Sequence, residues 1–236
     1  MDASFKFRQF SVSHGSSALK LGTDAVLLGA AMSISGRERR ALDIGTGCGV
    51  IALMAAQRSA HCRITGIDID LPSVQEAARN FAASPWADRL EAVHCSLEEF
   101  SPQEPGTGYE LIFSNPPYYD DSLKNPDERS AAARHTHSLP HTTLCSRVRE
   151  LLAEDGRFCV VLPCDVFIRF RRTAASFGLY LQRELDICTT PSKPVSRTVA
   201  EFGTCNTGKA VTERLVLQEN GSKSTAYKEL TKEFYL

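Results

Sequence analysis

The sequence lacks several features that would point to particular protein classes. It has no apolar run near the roughly 18 residues of a membrane-spanning helix, no Cys-x-x-Cys pair, and a net charge of only −1 at pH 7. These absences argue against a membrane protein and against a cysteine-rich zinc site. Because the charge is near zero, a nucleic acid partner would have to be bound by local basic patches.

The potential metal-binding and thiol residues follow no ligand pattern either. The chain has eight cysteines, several of them within apolar runs, such as Cys159 in Phe-Cys-Val-Val-Leu. This placement is typical of reduced thiols that pack as small apolar side chains, and reduced thiols indicate the cytoplasm. His135, His137 and His141 have no accompanying thiol or carboxylate pattern, so we predict no metal site. We expect a cytoplasmic monomer that does not bind a membrane.

Strand and helix patterns alternate through the middle of the chain. Short apolar strand patterns are separated by stretches with helical spacing, which predicts an α/β fold with a mostly parallel sheet. Further strand patterns near the C-terminus predict an antiparallel strand at that edge of the sheet. No linker divides the chain. We therefore expect one domain over residues 1–236, with residues 1–35 as an N-terminal extension that covers the functional site.

A glycine-rich loop follows the first central strand and reads Asp43-Ile44-Gly45-Thr46-Gly47-Cys48-Gly49. Glycines at alternate positions permit a tight turn and a close approach of the backbone to a ligand. Asp68 ends the next strand, at a spacing that suits a carboxylate binding the hydroxyls of a ribose. The loop lacks the third glycine of the dinucleotide fingerprint and is similar to the loop of S-adenosylmethionine (SAM) enzymes. The predicted cofactor contacts here are Asp43, Gly45, Thr46, Gly47, Gly49, Asp68 and Ile69.

The third central strand ends in Cys95-Ser96-Leu97. Enzymes of the kind that the glycine loop resembles usually carry an aspartate in place of Ser96, facing the adenine amine of the cofactor. A serine hydroxyl can still hydrogen-bond that amine, and Leu97 can pack on the adenine ring. An ordinary loop is the alternative reading of the same residues.

The stretch Asn115-Pro116-Pro117-Tyr118 follows a predicted buried strand at residues 109–114. Prolines end a strand and fix the direction of the backbone. The Asn115 side-chain oxygen and the Pro116 carbonyl can therefore accept hydrogen bonds from an exocyclic amine and offset its developing positive charge. Tyr118 can stack on a planar base. The stretch resembles the (D/N/S)-P-P-(Y/F/W) motif of amino-group methyltransferases, so we predict that Asn115, Pro116 and Tyr118 are catalytic and that Asn115 also contacts the cofactor.

Longer stretches resemble one family over nearly the whole chain. They are Phe5–Phe10, Lys20–Ala30, Ala82–Leu90, Ser114–Tyr118, Phe158–Pro163 and the C-terminal Tyr227–Leu236. Together they resemble the bacterial tRNA1(Val) adenine-N6 methyltransferases. The resemblance implies a Rossmann-like, seven-stranded fold, SAM as cofactor, and methylation of the adenine at position 37, beside the anticodon of a valine tRNA. It also places Thr23 near the cofactor, although Thr23 or Asp24 can equally cap a helix.

An RNA substrate requires contacts to phosphates and bases. The predicted substrate contacts are Tyr118, Tyr119, Arg129 and Arg134, in and just after the proline motif. Further basic candidates are Arg169, Arg171, Arg172, Lys193, Arg197, Lys6 and Arg8. Each of them also has a simpler explanation as a solvated surface charge.

Two other functions fit parts of the sequence. Protein glutamine methyltransferases that act on release factors share the proline motif, because a glutamine amide presents a planar NH₂ group as adenine does. They carry a sizeable helical N-terminal domain, and the glycine loop here begins at Gly45, which leaves too little chain for one. A nicotinamide-dependent oxidoreductase would share the sheet but would have no use for the proline motif.

Overall fold

Strands and helices alternate along the chain in the computed structural model, which describes residues 4–17, 21–102, 108–117 and 139–235. The strands are β1 (Ser4–Lys6), β2 (Ser11–Ser13), β3 (Arg40–Ile44), β4 (Arg63–Asp68), β5 (Leu90–His94), β6 (Tyr109–Ser114), β7 (Leu152–Pro163), β8 (Tyr180–Cys188), β9 (Val195–Gly203), β10 (Val211–Val216), β11 (Gln218–Glu219) and β12 (Ser222–Lys223). The helices are α1 (Thr23–Ala31), α2 (Val50–Arg58), α3 (Leu71–Ala82), α4 (His141–Leu151), α5 (Cys164–Ser176) and α6 (Thr225–Thr231).

The central sheet has eight strands in the order β10-β8-β9-β7-β6-β3-β4-β5. All neighbouring pairs are parallel except those that involve β9, which runs antiparallel to β7 and β8. The predicted mostly parallel sheet with an antiparallel C-terminal strand is confirmed. Two details differ from the expectation: β9 lies between β7 and β8, and the parallel strand β10 adds an eighth strand at the edge.

Helices cover both faces of this sheet and form two apolar cores. Successive residues of β6 alternate between them, since Leu111 and Phe113 belong to one core and Ile112 to the other. The first core joins the sheet to α1, α2, α3 and α6, and the second joins it to α4 and α5. Burial on both faces explains why the central strands have near-continuous apolar sequences.

Gly156 has a structural role within β7, which begins at Leu152 directly after the end of α4. A Cβ atom at position 156 would lie 2.7 Å from the carbonyl oxygen of Tyr109. The glycine is therefore needed for the close approach of β7 to β6, where their pairing register shifts.

The N-terminal hairpin β1–β2 packs on the C-terminal segment. Phe7 stacks on Phe10 and on Tyr235, with ring centroids 4.6 Å and 6.1 Å apart. The amide of Arg8 donates to the carbonyl oxygen of Phe234 at 2.8 Å. Phe10 also meets Trp86 edge to face. These contacts attach the extension to the first core, and its predicted cover over the site stays a prediction.

Candidate cofactor and substrate site

The site predicted from sequence lies at the carboxyl edge of the parallel strands. β3, β4, β5 and β6 are neighbours with the same direction, so their carboxyl ends meet at one edge. The glycine loop follows β3, Asp68 ends β4, and Asn115 follows β6. Parallel α/β sheets bind their ligands at this edge.

The glycine loop turns sharply and leaves open space beside its backbone. Gly45 and Gly47 have φ values of 72° and 56°, which residues with a side chain rarely adopt. A Cβ atom added at either position would meet no other atom within 4 Å. The amides of Gly45 and Thr46 both donate to the carbonyl oxygen of Ile67 at 2.9 Å. The loop is thus fixed to β4 while one side of its backbone stays accessible to a ligand.

Asp43 lies near the end of β3, just before the glycine loop, and is fully buried. Its Oδ2 atom accepts a hydrogen bond of 2.7 Å from the Thr46 hydroxyl, and its Oδ1 atom has no hydrogen-bond partner among the described residues. Sequence reasoning missed Gly66, where a Cβ atom would lie 2.7 Å from the Thr46 hydroxyl oxygen. Gly66 therefore makes room for the side chain that links Asp43 to the loop.

Burial raises the pKa of Asp43 to about 7; the Thr46 hydrogen bond opposes this effect and the nearby charge of Asp68 adds to it. A carboxyl group with a raised pKa in the folded state keeps its proton there while it is ionised in the unfolded state. Between pH 4 and 7 the folded protein thus binds more protons than the unfolded chain. The stability that this group contributes is lost as the pH rises through this window.

We predict that Asp43→Asn reduces this pH dependence, because an amide does not ionise. The fall in melting temperature between pH 5 and pH 8, measured on the cofactor-free protein, should be smaller in the variant by about 5 °C. Asp165→Asn is a suitable control, since Asp165 is an exposed carboxylate on α5. Parallel melting curves for Asp43→Asn and the unsubstituted protein over this range would contradict the prediction.

Asp68 is half-buried at the end of β4 and is held by two backbone amides. The amide of Gly47 donates to its Oδ2 atom and the amide of Asp70 to its Oδ1 atom, both at 2.9 Å. Burial is the largest influence on its pKa, which is raised although both hydrogen bonds lower it. Each carboxylate oxygen keeps a second lone pair for a ligand hydroxyl. Beyond Asp68, the side chain of Ile69 is 52% exposed and offers an apolar surface beside that carboxylate.

Ser96 and Leu97, which follow the end of β5, both have contacts within the protein. The Ser96 hydroxyl accepts a hydrogen bond from the amide of Glu99 and donates to the Glu99 carboxylate, both at 3.2 Å. It thereby caps the turn that follows β5. Leu97 is 5% exposed and belongs to the second apolar core. The predicted contacts of Ser96 and Leu97 with the cofactor stay predictions.

The start of α1 lies near β9. Neither Thr23 nor Asp24 caps this helix, because its N-cap residue is Gly22, without a side-chain hydrogen bond. Asp24 instead accepts a hydrogen bond of 2.9 Å from Arg197, which lies opposite Pro163 in the pairing of β7 and β9. This ion pair ties α1 to the carboxyl end of β7. Thr23 is exposed beside it.

The proline motif begins at a position fixed by a buried hydrogen bond. The Ser114 hydroxyl donates to the carbonyl oxygen of Ile44 at 2.8 Å, which joins the end of β6 to the residue before the glycine loop. Asn115 follows directly and is half-buried, and Pro116 is buried. The structure thus brings Asn115 close to the glycine loop. The predicted residues Tyr118, Tyr119, Arg129 and Arg134 lie outside the described residues.

Two polar residues of α3 bind the N-terminal extension, one of them also contacts the glycine loop, and sequence reasoning missed both. Asn80 donates to the carbonyl oxygens of Ser13 and Cys48 at 2.8 Å, and Cys48 belongs to the glycine loop. Glu76 accepts hydrogen bonds from the amides of Ser16 and Ser17. Both side chains are at most 5% exposed. Buried polar residues on a helix that otherwise packs on the core were the signal for this contact.

The described residues contain no group of three or more His, Cys, Asp and Glu side chains that could hold a metal ion. His141 packs edge to face on Phe170, while His135 and His137 lie outside the described residues. All eight cysteines are free thiols, and five of them are buried. Within the part of the chain that the structure covers, no helix has the length and apolar character to cross a membrane.

The stretch Ala82–Leu90, one of those that carry the family resemblance, has structural contacts. Arg89 donates to the carbonyl oxygens of Cys62 and Ala56 at 2.9 Å and 2.7 Å, which caps the end of α2. Trp86 packs against the aromatic N-terminal extension. This stretch therefore holds the scaffold around the site together.

Comparisons with known proteins agree with this geometry. Residues 14–165 match the methyltransferase small domain family. The chain is 41% identical to the tRNA1(Val) (adenine(37)-N6)-methyltransferase of Bacteroides thetaiotaomicron, over 98% of this chain and 97% of that protein. It is 40% identical to the protein of the same name from Yersinia pseudotuberculosis, over 98% and 92% of the two chains.

Solved structures show the same fold. A predicted O-methyltransferase from Agrobacterium tumefaciens superposes with a TM-score of 0.67 at 15% identity, covering 89% of this chain and 96% of that one. A methyltransferase from Pyrococcus furiosus gives a TM-score of 0.60 at 18% identity, covering 84% and 90%. The predicted methyltransferase fold and the family resemblance are both confirmed, and the chain belongs to the family of tRNA1(Val) (adenine(37)-N6)-methyltransferases.

Proposed function

We propose that this protein transfers a methyl group from SAM to the exocyclic N6 amine of the adenine at position 37 of tRNA1(Val). The observation that carries the proposal is the position of Asn115 and Pro116, directly after β6 and joined through Ser114 to the strand end before the glycine loop. Relatives with this enzyme name match the chain over almost its full length, and they agree with that geometry.

The residues at the edge of the sheet fit the chemistry of SAM. The open backbone at Gly45 and Gly47 leaves room for the amino acid part of the cofactor. Asp68 has lone pairs for the two ribose hydroxyls, and Ile69 offers an exposed apolar side chain to the adenine ring. When bound, SAM supplies an electrophilic methyl group on a sulfonium sulfur, and that sulfur keeps the electron pair of the broken C–S bond.

Asn115 and Pro116 prepare the substrate amine for attack. The lone pair of an adenine N6 amine is delocalised into the ring, so the amine is a weak nucleophile. The Asn115 side-chain oxygen and the Pro116 carbonyl accept hydrogen bonds from its two N–H groups, which favours a pyramidal nitrogen and offsets its growing positive charge. The nitrogen lone pair then forms the N–C bond, and one proton leaves the nitrogen for solvent. Holding the amine in line with the methyl group supplies much of the acceleration.

The proposal is tested with labelled SAM and a transcript of the valine tRNA. We expect label in N6-methyladenosine, located next to the anticodon by nuclease digestion and mass spectrometry. The control transcript carries guanosine in place of the target adenosine and should stay unlabelled. A release factor protein serves as a second acceptor. Label in that protein, with none in the transcript, would contradict the proposal.

Two further properties belong to the proposal. The enzyme acts in the cytoplasm, which is supported by its eight free thiols and by the location of its tRNA substrate. It acts as a monomer, which light scattering at micromolar concentration would check. Tyr118, Tyr119, Arg129 and Arg134 are proposed to hold the RNA at the site.

A further inference from the structure

One side of α5 carries a surface notch, the α5 notch, which is lined by two arginines and three apolar residues. A cavity of about 350 Å³ opens there, and its described lining residues are Phe167, Ile168, Arg171, Arg172 and Ala175. These positions follow the helical repeat and share one stripe of α5. Ile168 is 54% exposed although it is a large apolar residue. Ala175 is exposed one turn beyond Arg171 and is too small to fill the space.

The two arginines of this notch, Arg171 and Arg172, are both exposed. Among the described residues, neither Arg171 nor Arg172 forms an ion pair, a hydrogen bond or a ring contact. Solvated helix faces often pair such charges with carboxylates three or four residues away. Here residues 168–176 contain no aspartate or glutamate. Two adjacent guanidinium groups beside an exposed apolar surface are therefore available to an anionic partner.

The helix that carries the notch starts at the edge of the sheet where the proposed site lies. α5 begins at Cys164, directly after β7, and β7 pairs with β6, the strand that leads to Asn115. From the rise of an α-helix, the notch residues lie roughly 5–17 Å along α5 from that start. A tRNA whose loop base reaches Asn115 extends well beyond this distance.

We infer that the α5 notch binds the sugar-phosphate backbone of the tRNA substrate, outside the target base; this inference rests on the proposed function. The guanidinium groups of Arg171 and Arg172 contact phosphate oxygens, and Ile168 and Ala175 contact ribose carbons. The choice of RNA follows from the charge: the whole chain carries only −1, so its affinity for RNA must come from local clusters of this kind.

The test is the affinity for a valine tRNA transcript, measured by fluorescence anisotropy at several salt concentrations. Arg171→Ala with Arg172→Ala should weaken binding about tenfold near 0.1 M salt, and the slope of log affinity against log salt should become shallower by about one or two. Ala175→Glu should weaken binding similarly, since it adds a negative charge in the notch with a residue that favours helices.

Arg63→Ala with Arg79→Ala is the matched control. Both arginines are exposed, neither lies on α5, and the double variant has the same change in charge. We expect its affinity to stay within about twofold of the unsubstituted protein, and thermal melting will verify that all variants are folded. Equal affinity and equal salt slope for the α5 double variant and the unsubstituted protein would overturn the inference.

The failure of this inference and that of the proposed function can be told apart. Binding that depends on Arg171 and Arg172, without methylation of the transcript, would contradict the proposed function and support the notch. Methylation of the transcript, together with an unchanged salt dependence of tRNA binding in the α5 variants, would support the proposed function and contradict the inferred role of the notch. If the unsubstituted protein does not bind the transcript, the proposed function and the inferred role of the notch are both contradicted.

Discussion

Replacing Asn115 with alanine is expected to lower kcat by about 100-fold or more while the affinity for SAM changes little. Loss of one preorganised group that stabilises charge in the transition state typically has an effect of this size. The side chain lies after β6, on a backbone held by Ser114 and by the buried Pro116. Its removal should therefore not move the glycine loop. Single-turnover methylation of the valine tRNA transcript measures the chemical step, and calorimetry measures SAM binding.

Asn115→Asp and Asn115→Ser are the informative controls. Both keep an oxygen that can accept a hydrogen bond, and both residues occur in the motif (D/N/S)-P-P-(Y/F/W). We expect them to retain more activity than Asn115→Ala, with Asn115→Asp within about tenfold of the unsubstituted enzyme. If alanine were as active as asparagine, the role of the side chain in activating the amine would be wrong.

The parts of the site that follow from local sequence were predictable. The alternate glycines Gly45 and Gly47 predict a tight turn, and both have positive φ in the structure. Asp68 directly ends an apolar strand, which predicts a carboxylate at the edge of the sheet. Asn115 followed from its neighbouring prolines. In each case the residue type and its neighbours in the chain carry the information, so no tertiary contact had to be known.

The supporting contacts were not predictable, because they join residues far apart in the chain. Gly66 looks like an ordinary strand glycine until Thr46 is found against it. Asp24 pairs with Arg197, 173 positions away. The sequence had suggested Asp24 as a possible helix cap and Arg197 as a possible RNA contact, and in the structure the two side chains bind each other. Ser96 differs, because its hydroxyl accepts a hydrogen bond from the amide of Glu99, only three residues away. It caps a turn in a stretch for which the sequence allowed either a cofactor contact or an ordinary loop.

The prediction for Asp68 complements that for Asn115. We expect Asp68→Ala to weaken SAM binding about 100-fold, because hydrogen bonds from ligand hydroxyls to a charged carboxylate stabilise binding by roughly 1.5–3 kcal/mol each. At saturating SAM the turnover should fall far less than in Asn115→Ala, since the amine is activated by other residues. The KM for SAM therefore rises in one variant, and kcat falls in the other.

Asp68→Ala also removes the acceptor for the amides of Gly47 and Asp70, so weaker binding alone would not prove a contact with the ribose. A second measurement separates the two effects: the affinity for S-adenosylhomocysteine is compared with that for its 2′-deoxy analogue. In the unsubstituted enzyme the missing hydroxyl should weaken binding about tenfold, and in Asp68→Ala it should make little difference. If both proteins discriminated equally between the two ligands, Asp68 would serve only to hold the loop, and the ribose hydroxyls would have to be bound elsewhere.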